Sequence, residues 1–149
     1  DPKNYKLQIM IKKILSITII FLLLPNILFA KSEFFEEGIN LINKKKFDDA
    51  KFKFEQDLVL NPKNELSYLY LSKIFNQQEK KDLEEQNLKT VMLINPKNEE
   101  AILNLAKLKL SNSDYQGSKE LNKRLKLICN NFCNQSDQLK IEIENLSKK

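Results

Sequence analysis

The chain has 149 residues, 42% of them apolar and 30% charged, with a formal net charge of +5. This length suits one domain with a hydrophobic core, and the complete lack of histidine excludes catalytic triads and histidine-ligated metal sites. With only two glycines, the composition argues against phosphate-binding glycine loops and favours helices over a sheet.

The positive charge is concentrated at the N-terminal end. Residues 1–30 contain four lysines and one aspartate, whereas residues 31–149 contain 21 basic and 19 acidic side chains. The one dense basic run, Lys44–Lys46, is followed directly by Asp48 and Asp49. Mixed signs of this kind are typical of a solvated helical surface, so we expect no nucleic-acid partner.

Residues 10–30 have the pattern of a secretory signal peptide. Lys12 and Lys13 precede the apolar stretch Ile14–Leu24, and Ala30 stands where a signal peptidase would cleave. This stretch is shorter than the ~20 residues that a membrane-spanning helix requires. An uncleaved membrane anchor is the alternative interpretation.

The signal pattern has two consequences for the rest of the chain. Residues 1–9 are interpreted as an upstream extension that is not native, and residues 31–149 as the mature chain. Export predicts a bacterial periplasmic or secreted location, where thiols can oxidise. The alternative is an inner-membrane anchor with the mature chain facing the periplasm.

An exact internal repeat organises the mature chain. The tetrapeptide NPKN at Asn61–Asn64 recurs at Asn95–Asn98, which gives a repeat period of about 34 residues. This period predicts a helical unit that buries its apolar face only by stacking on copies of itself. In each copy proline ends a helix, and Asn64 and Asn98 are placed to cap the next one. The resulting units span 31–64, 65–98 and 99–132.

A last amphipathic helix is predicted within residues 133–149. Ser136–Asp137 is expected to cap it, and Leu139, Ile143 and Leu146 have the spacing of one apolar face. We interpret this segment as a capping helix that closes the open end of the stack.

The units resemble the tetratricopeptide repeat (TPR), a pair of helices with a characteristic pattern of bulky, small and closing residues. In the first unit the matching residues are Phe34, Gly38, Leu41, Phe47, Ala50, Phe54 and Pro62. In the second they are Tyr68, Leu71, Ser72, Phe75, Leu88, Val91 and Pro96. In the third they are Ile102, Leu105, Ala106, Asp114, Tyr115, Ser118 and Leu125.

Three features depart from the TPR pattern. Glu37 and Asp57 do not fit it in the first unit, Glu84 stands where a small alanine is expected, and the third unit has no closing proline. The resemblance implies an all-α fold, a short right-handed superhelical solenoid of about three helix-turn-helix repeats plus a C-terminal capping helix. The alternative is a generic helical bundle in which the NPKN copies are coincidental.

Carboxylate pairs and cysteines are the remaining candidates for chemistry. Glu84–Glu85 and Glu99–Glu100 are interpreted as helix-end charges without burial. Cys129 and Cys133 are open to three interpretations: a structural disulfide, two buried thiols, or a redox or metal function. A disulfide would stabilise the fold by only about 2 kcal/mol and would require a broken helix around residues 130–132.

The resemblance also implies a concave groove lined by the first helix of each pair. The expected partner-binding residues are Phe35, Ile39, Asn43, Tyr70, Lys73, Gln77, Asn104 and Lys107. Several family members hold a terminal carboxylate with lysine and asparagine at set groove positions. Those positions here are Phe35, Ile39, Tyr70, Glu100 and Asn104, so we expect no such clamp. A mixed apolar and amide lining suits a helix or extended peptide, and Leu69 and Leu103 are expected in the core.

The predicted function is a non-catalytic protein–protein interaction module of the bacterial periplasm that binds a partner protein or peptide. No cofactor or metal is expected. One alternative is a membrane-anchored assembly or scaffold factor; another is an accessory thiol-redox protein that uses Cys129 and Cys133. Self-association through the open N-terminal end, near Phe34, Phe35 and Phe47, is a further hypothesis.

Overall fold

The computed structural model describes Lys12 and residues 32–148. The predicted extension 1–9, and the predicted signal segment 10–30 apart from Lys12, lie outside the described residues. Residues 32–148 form seven helices joined by turns. The helices are α1 (Glu33–Asn43), α2 (Phe47–Leu60), α3 (Glu65–Gln77), α4 (Lys81–Ile94), α5 (Glu99–Ser111), α6 (Tyr115–Ile128) and α7 (Cys133–Leu146).

The helices pack chiefly against their neighbours in the chain. The pairs α1–α2, α3–α4 and α5–α6 have the most extensive contacts, and α2–α3 and α4–α5 join one pair to the next. Helix α7 packs against α6 and, over a smaller area, against α5. Among the described helices, none combines the length and apolar character needed to span a bilayer. The prediction of an all-α fold is confirmed.

The predicted asparagine caps are present at the starts of α3 and α5. The Asn64 side-chain oxygen accepts a hydrogen bond from the Leu66 amide at 3.2 Å. The Asn98 oxygen accepts one from the Ala101 amide at 2.9 Å. Each cap satisfies a backbone donor that has no partner within the helix, and such a cap typically contributes about 1 kcal/mol.

Each turn that joins the two helices of a pair contains one residue with a left-handed backbone conformation. Lys45, Glu79 and Ser113 have φ values of 58°, 57° and 61°, and each stands one repeat period after the one before it. In the first turn the amides of Lys45 and Lys46 donate to the carbonyls of Ile42 and Leu41, each at 2.9 Å. These two bonds form a Schellman motif, which ends the helix and reverses the chain.

The core divides into three clusters of buried side chains. The first lies between the first two pairs and contains Phe35, Ala50, Phe54, Leu71, Ile74 and Phe75. The second contains Leu69, Leu88, Val91, Ala101, Leu105 and Leu108. The third contains Ile102, Leu103, Ala106, Leu110, Leu125, Leu139 and Ile143. Met92 and Leu121 contact both the second and the third cluster, so these two are continuous.

A fully buried carboxylate joins the first three helices. Asp57, at the end of α2, accepts hydrogen bonds from the hydroxyls of Ser32 and Ser67. It also accepts from the side-chain amides of Asn61 at 3.0 Å and Asn64 at 2.7 Å. Burial raises the pKa of Asp57, but these four hydrogen bonds outweigh burial and hold the pKa below its ordinary value. Asp57, which departs from the TPR pattern, therefore forms a buried polar network that connects the first three helices.

The predicted cap of the last helix was wrong. Helix α7 begins at Cys133, three residues before the expected cap at Ser136. Ser136 is buried, where its hydroxyl donates to the Asn122 oxygen at 2.8 Å and its carbonyl accepts from the Asn122 amide at 2.9 Å. Leu139 and Ile143 face the core as expected, whereas Leu146 is 40% exposed.

The turn between α6 and α7 contains a disulfide. Cys129 and Cys133 are bonded to each other, and the chain between them is not helical. The amides of Asn130, Asn131 and Phe132 donate to the Glu99 carboxylate at 2.9, 3.0 and 3.0 Å. Burial raises the pKa of Glu99, but these backbone hydrogen bonds outweigh it and lower the pKa. This turn connects α7 to the start of α5 in the unit that lacks the closing proline.

Replacing Cys133 with serine is expected to lower the free energy of unfolding by about 2 kcal/mol, because the unfolded chain regains the freedom of a short loop. Urea unfolding of oxidised wild type and of the variant measures the difference. A reducing agent should destabilise the wild type to the same degree and leave the variant unchanged. Equal stability of oxidised wild type and variant would contradict a stabilising disulfide.

Candidate binding groove

A cleft of about 980 Å³ opens between α3, α4 and α5, in the middle of the array. Polar and charged side chains from all three helices form most of its wall. The lining residues are Ser72, Lys73, Asn76, Gln77, Glu79, Lys81, Glu84, Glu100, Asn104, Lys107, Leu108 and Ser111. The cleft is therefore suited to a ligand that forms hydrogen bonds and ion pairs.

Half of the predicted groove residues line this cleft. Lys73 and Gln77 extend from α3, and Asn104 and Lys107 from α5. Lys73 and Lys107 stand one repeat period apart, at the same position of successive first helices. The first helices of the second and third units thus bring these four side chains to one surface.

Phe35 does not belong to an open groove surface, and this part of the prediction was wrong. Its side chain is only 2% exposed and packs with its ring centroid 5.7 Å from that of Phe54 and 6.1 Å from that of Tyr70. Tyr70, half-buried, stacks on Phe54 at 5.1 Å. Leu69 and Leu103 are buried, as predicted. The apolar positions of α1 and α3 thus serve the core.

The two other predicted residues lie on α1, away from the cleft lining. Ile39 is half-buried and packs against the first core cluster, and Asn43 is exposed at the end of its helix. These positions correspond to Lys73 and Gln77, one repeat later in the second unit. The structure does not bring them together with the four residues of the cleft.

An ion pair crosses the cleft between the second and third units. Lys73 Nζ lies 2.7 Å from a Glu100 oxygen and 4.9 Å from the centroid of the Tyr70 ring. Glu100 and Tyr70 both occupy positions that the TPR resemblance assigns to a carboxylate clamp. The lysine is thus held by a carboxylate and an aromatic face of this chain, an arrangement that leaves it partly neutralised.

Glu84 is one of the cleft residues outside the predicted groove set, and its interpretation as an unburied helix-end charge was wrong. It is only 4% exposed, although it lines the cleft. The Asn76 side-chain amide donates to its two oxygens, at 3.1 Å each. Burial raises the pKa of Glu84, and the Asn76 hydrogen bond and the charge of Lys81 oppose the rise without cancelling it.

Replacing Glu84 with glutamine is expected to raise the free energy of unfolding at neutral pH by about 1 kcal/mol, because a buried charge becomes neutral. The pKa of folded Glu84 lies above its ordinary value, so the folded protein binds this proton more tightly than the unfolded chain. This contribution therefore destabilises the wild type as pH rises through the folded-state pKa.

Urea unfolding at acidic and neutral pH measures this effect. The advantage of Glu84→Gln over wild type should grow as pH rises towards neutrality. Glu142→Gln, an exposed substitution on α7, controls for the loss of one negative charge. A glutamine variant that is less stable than wild type at neutral pH would contradict the prediction.

The described residues contain no candidate metal site. Within residues 32–148, the His, Cys, Asp and Glu side chains form no group of three or more that could hold a metal ion.

No protein-family model and no curated protein matches the chain.

The arrangement of helices is similar to solved TPR structures. The TPR2B domain of yeast Sti1, in a complex with pHsp70, has a TM-score of 0.70 and 13% identity, and the match covers 77% of this chain and 99% of that one. The Sgt2 TPR domain from Aspergillus fumigatus has a TM-score of 0.67 and 16% identity, over 78% of this chain and 81% of that one. The chain has a TPR fold. The predicted all-α repeat solenoid is confirmed.

A bacterial protein has a similar TPR-like arrangement. The Yersinia enterocolitica type III secretion chaperone SycD, in complex with a peptide of the translocator YopD, has a TM-score of 0.69 and 16% identity. The match covers 78% of this chain and 93% of SycD. Similarity at this identity describes the TPR fold only.

Proposed function

We propose that the chain is a non-catalytic protein–protein interaction module of the bacterial periplasm and that it binds a partner protein or peptide in the cleft between α3, α4 and α5. The observation that carries the proposal is the cleft itself. It is large, and the side-chain amides of Gln77 and Asn104 and the charges of Lys73 and Lys107 line it. Such groups bind peptide backbones and polar side chains.

Similar structures support a peptide or protein as the ligand. The yeast Sti1 domain is in a complex with pHsp70, and SycD is in complex with a translocator peptide. This support rests on analogy between folds, because one fold can host several functions. The clamp that would select a terminal carboxylate is not expected here, since Tyr70 and Glu100 occupy two of its positions.

The periplasmic location is proposed from the sequence and from one contact. Lys12, Lys13 and the apolar stretch Ile14–Leu24 have the pattern of a signal peptide. The bonded pair Cys129–Cys133 suits an oxidising compartment. Cell fractionation with N-terminal sequencing of the mature chain tests it: a periplasmic chain that begins near Lys31 supports export, and a membrane-bound chain that retains the apolar stretch supports the anchored form.

Affinity capture tests the binding function. The tagged full chain is used as bait in an extract of the source cell, and bound proteins are identified by mass spectrometry. A variant with Gln77→Ala and Asn104→Ala alters the cleft, and a variant with Gln138→Ala and Asn145→Ala makes the same changes on exposed positions of α7. We expect the first variant to lose a partner that the wild type and the second variant retain.

Two outcomes would contradict binding in the cleft. One is capture of the same partner by all three baits. The other is equal loss of the partner from both variants, which would indicate a nonspecific effect of removing amides.

A further inference from the structure

The side chains of the middle unit differ from those of the outer units at one buried position. Glu84 corresponds to Ala50 in the first unit and to Ser118 in the third, each one repeat period away. Ala50 and Ser118 are fully buried, and the Ser118 hydroxyl donates to the Ala106 carbonyl at 2.8 Å. The middle unit alone has a carboxylate where the others have a small packing residue.

The hydrogen-bond partner of Glu84 also differs between the middle unit and the outer units. Asn76 corresponds to Ile42 in the first unit and to Leu110 in the third. Ile42 packs against the first core cluster, and Leu110 is buried in the third. A polar pair, Asn76–Glu84, therefore replaces an apolar side chain and a small one between the helices of the middle unit, next to the cleft. Asn76 itself is exposed, whereas Glu84 is buried, and burying this carboxylate opposes stability, so packing does not account for it.

The Glu84 carboxylate has unused capacity to accept hydrogen bonds from a ligand. An ionised carboxylate accepts about four hydrogen bonds, whereas within residues 32–148 the hydrogen bonds to Glu84 come from the side-chain amide of Asn76. That donor is neutral, and its two contacts at 3.1 Å share one nitrogen. A cationic donor at this carboxylate would form the shorter and stronger charge-assisted bonds that the amide does not supply.

Two of the three lysines that line the cleft are held by other groups. Lys73 pairs with Glu100, and Lys81 Nζ donates to the Asn112 oxygen at 2.8 Å. Lys107 is exposed at the rim of the cleft. The attraction of Lys81 for Glu84 does not overcome the effect of burial, since the pKa of Glu84 remains raised. Of the three carboxylates that line the cleft, Glu79 is exposed to solvent and Glu100 is paired with Lys73, so Glu84 is the buried carboxylate that a cation entering the cleft would meet.

We propose that the Glu84 carboxylate is the recognition site of the cleft and that it accepts the lysine or arginine side chain of a bound peptide. This inference rests on the peptide-binding function proposed above. Arginine fits best, because its planar guanidinium can donate to both oxygens of one carboxylate. Gln77 and Asn104, on the two walls, would then bind the backbone on either side of the basic residue.

Selection from a random peptide library displayed on phage tests the proposal. The full chain is immobilised at neutral pH in three forms: wild type, Glu84→Gln, and the charge control Glu142→Gln. We expect wild type and control to enrich peptides that share an arginine or lysine position. Glu84→Gln should show no such enrichment, and its thermal melting confirms that it is folded.

Affinity measurements then isolate the ion pair. A selected peptide and its citrulline counterpart, which keeps the shape of arginine without the charge, are titrated into each form. Wild type should bind the arginine peptide about tenfold or more tightly than the citrulline peptide, as expected for one charged hydrogen-bonded pair. Glu84→Gln should bind both peptides equally.

Three outcomes would overturn the inference. If wild type enriches peptides without a shared basic position, Glu84 does not select a cation, although peptide binding stands. If Glu84→Gln keeps the preference for arginine, another carboxylate is responsible. If neither wild type nor Glu142→Gln enriches any peptide, the proposed peptide-binding function fails and this inference fails with it.

Discussion

Replacing Phe54 with alanine is expected to lower the free energy of unfolding by about 3–5 kcal/mol. The Phe54 ring is fully buried, stacks on Tyr70 at 5.1 Å and meets Phe35 edge-on at 5.7 Å. Removing it leaves a cavity where the first two helix pairs meet and breaks both aromatic contacts. Because small domains are stable by only about 5–15 kcal/mol, this loss would leave the first unit close to unfolding.

Urea unfolding followed by circular dichroism measures the effect. Phe52→Ala is the matched control, because Phe52 lies on the same helix but is 56% exposed. We expect the control to cost well under half as much as Phe54→Ala. Similar losses for the two variants would show that Phe54 is not a core residue in solution.

Gly38 offers a second measurement of the same packing. A Cβ atom at Gly38 would lie 2.7 Å from Phe54 Cε1, closer than carbon atoms approach without displacement. Gly38→Ala should therefore destabilise the wild type. In the Phe54→Ala background the ring is gone, so the same change should be neutral or stabilising, since alanine favours helix over glycine by about 1 kcal/mol.

Asp57→Ala is expected to lower the free energy of unfolding by about 3–5 kcal/mol, the cost of breaking a buried charged network. The substitution leaves the hydroxyls of Ser32 and Ser67 and the amides of Asn61 and Asn64 without their acceptor. Ser32 caps the start of α1, Asn61 and Asn64 lie in the turn between α2 and α3, and Ser67 lies in α3, so the loss loosens the junction of the first two pairs.

The effect of Asp57 should depend on pH. The pKa of folded Asp57 lies below its ordinary value, so its contribution is present above the unfolded-state pKa and is lost as pH falls through the folded-state pKa. The difference in stability between wild type and Asp57→Ala should therefore shrink in acid. Asp49→Ala, exposed on α2, is the control. A difference that stays constant down to strongly acidic pH would contradict the role of the charge.

The sequence predicted the features that depend on local chemistry. The NPKN copies located the ends of α2 and α4, because proline cannot continue a helix, and Asn64 and Asn98 were recognised as caps. These predictions depend on hydrogen bonds between residues that are only a few positions apart, so the spacing in the sequence is enough to make them. The same reasoning misplaced the cap of α7, because Ser136 is a residue type that often caps helices but here forms a buried contact with Asn122.

The groove prediction required knowledge of which side of each helix is buried. Phe35 was assigned to the groove by its position in the repeat, but its ring enters the aromatic cluster with Phe54. The sequence does not show this, because one apolar residue on an amphipathic helix can face either the core or a groove. The left-handed turns at Lys45, Glu79 and Ser113 were equally hidden, since none of these residues is a glycine.

Buried polar residues were recognised only as departures from a pattern. Asp57 corresponds to Val91 and Leu125 in the later units, and all three side chains are fully buried. A comparison of the three units would have indicated that the side chain at this position is buried. It would not have identified the four donors around Asp57, which come from the start of α1, the turn between α2 and α3, and α3 itself.

The order of packing along the chain also governs how the protein folds and opens. Because the extensive contacts join helices that are adjacent in sequence, no long loop has to close before stabilising contacts form, and folding should be fast. The two continuous core clusters around Met92 and Leu121 should open together, and the cluster around Phe54 should open separately. Amide hydrogens of α1 and α2 should therefore exchange with solvent sooner than those of α5, which is covered on both sides by neighbouring helices.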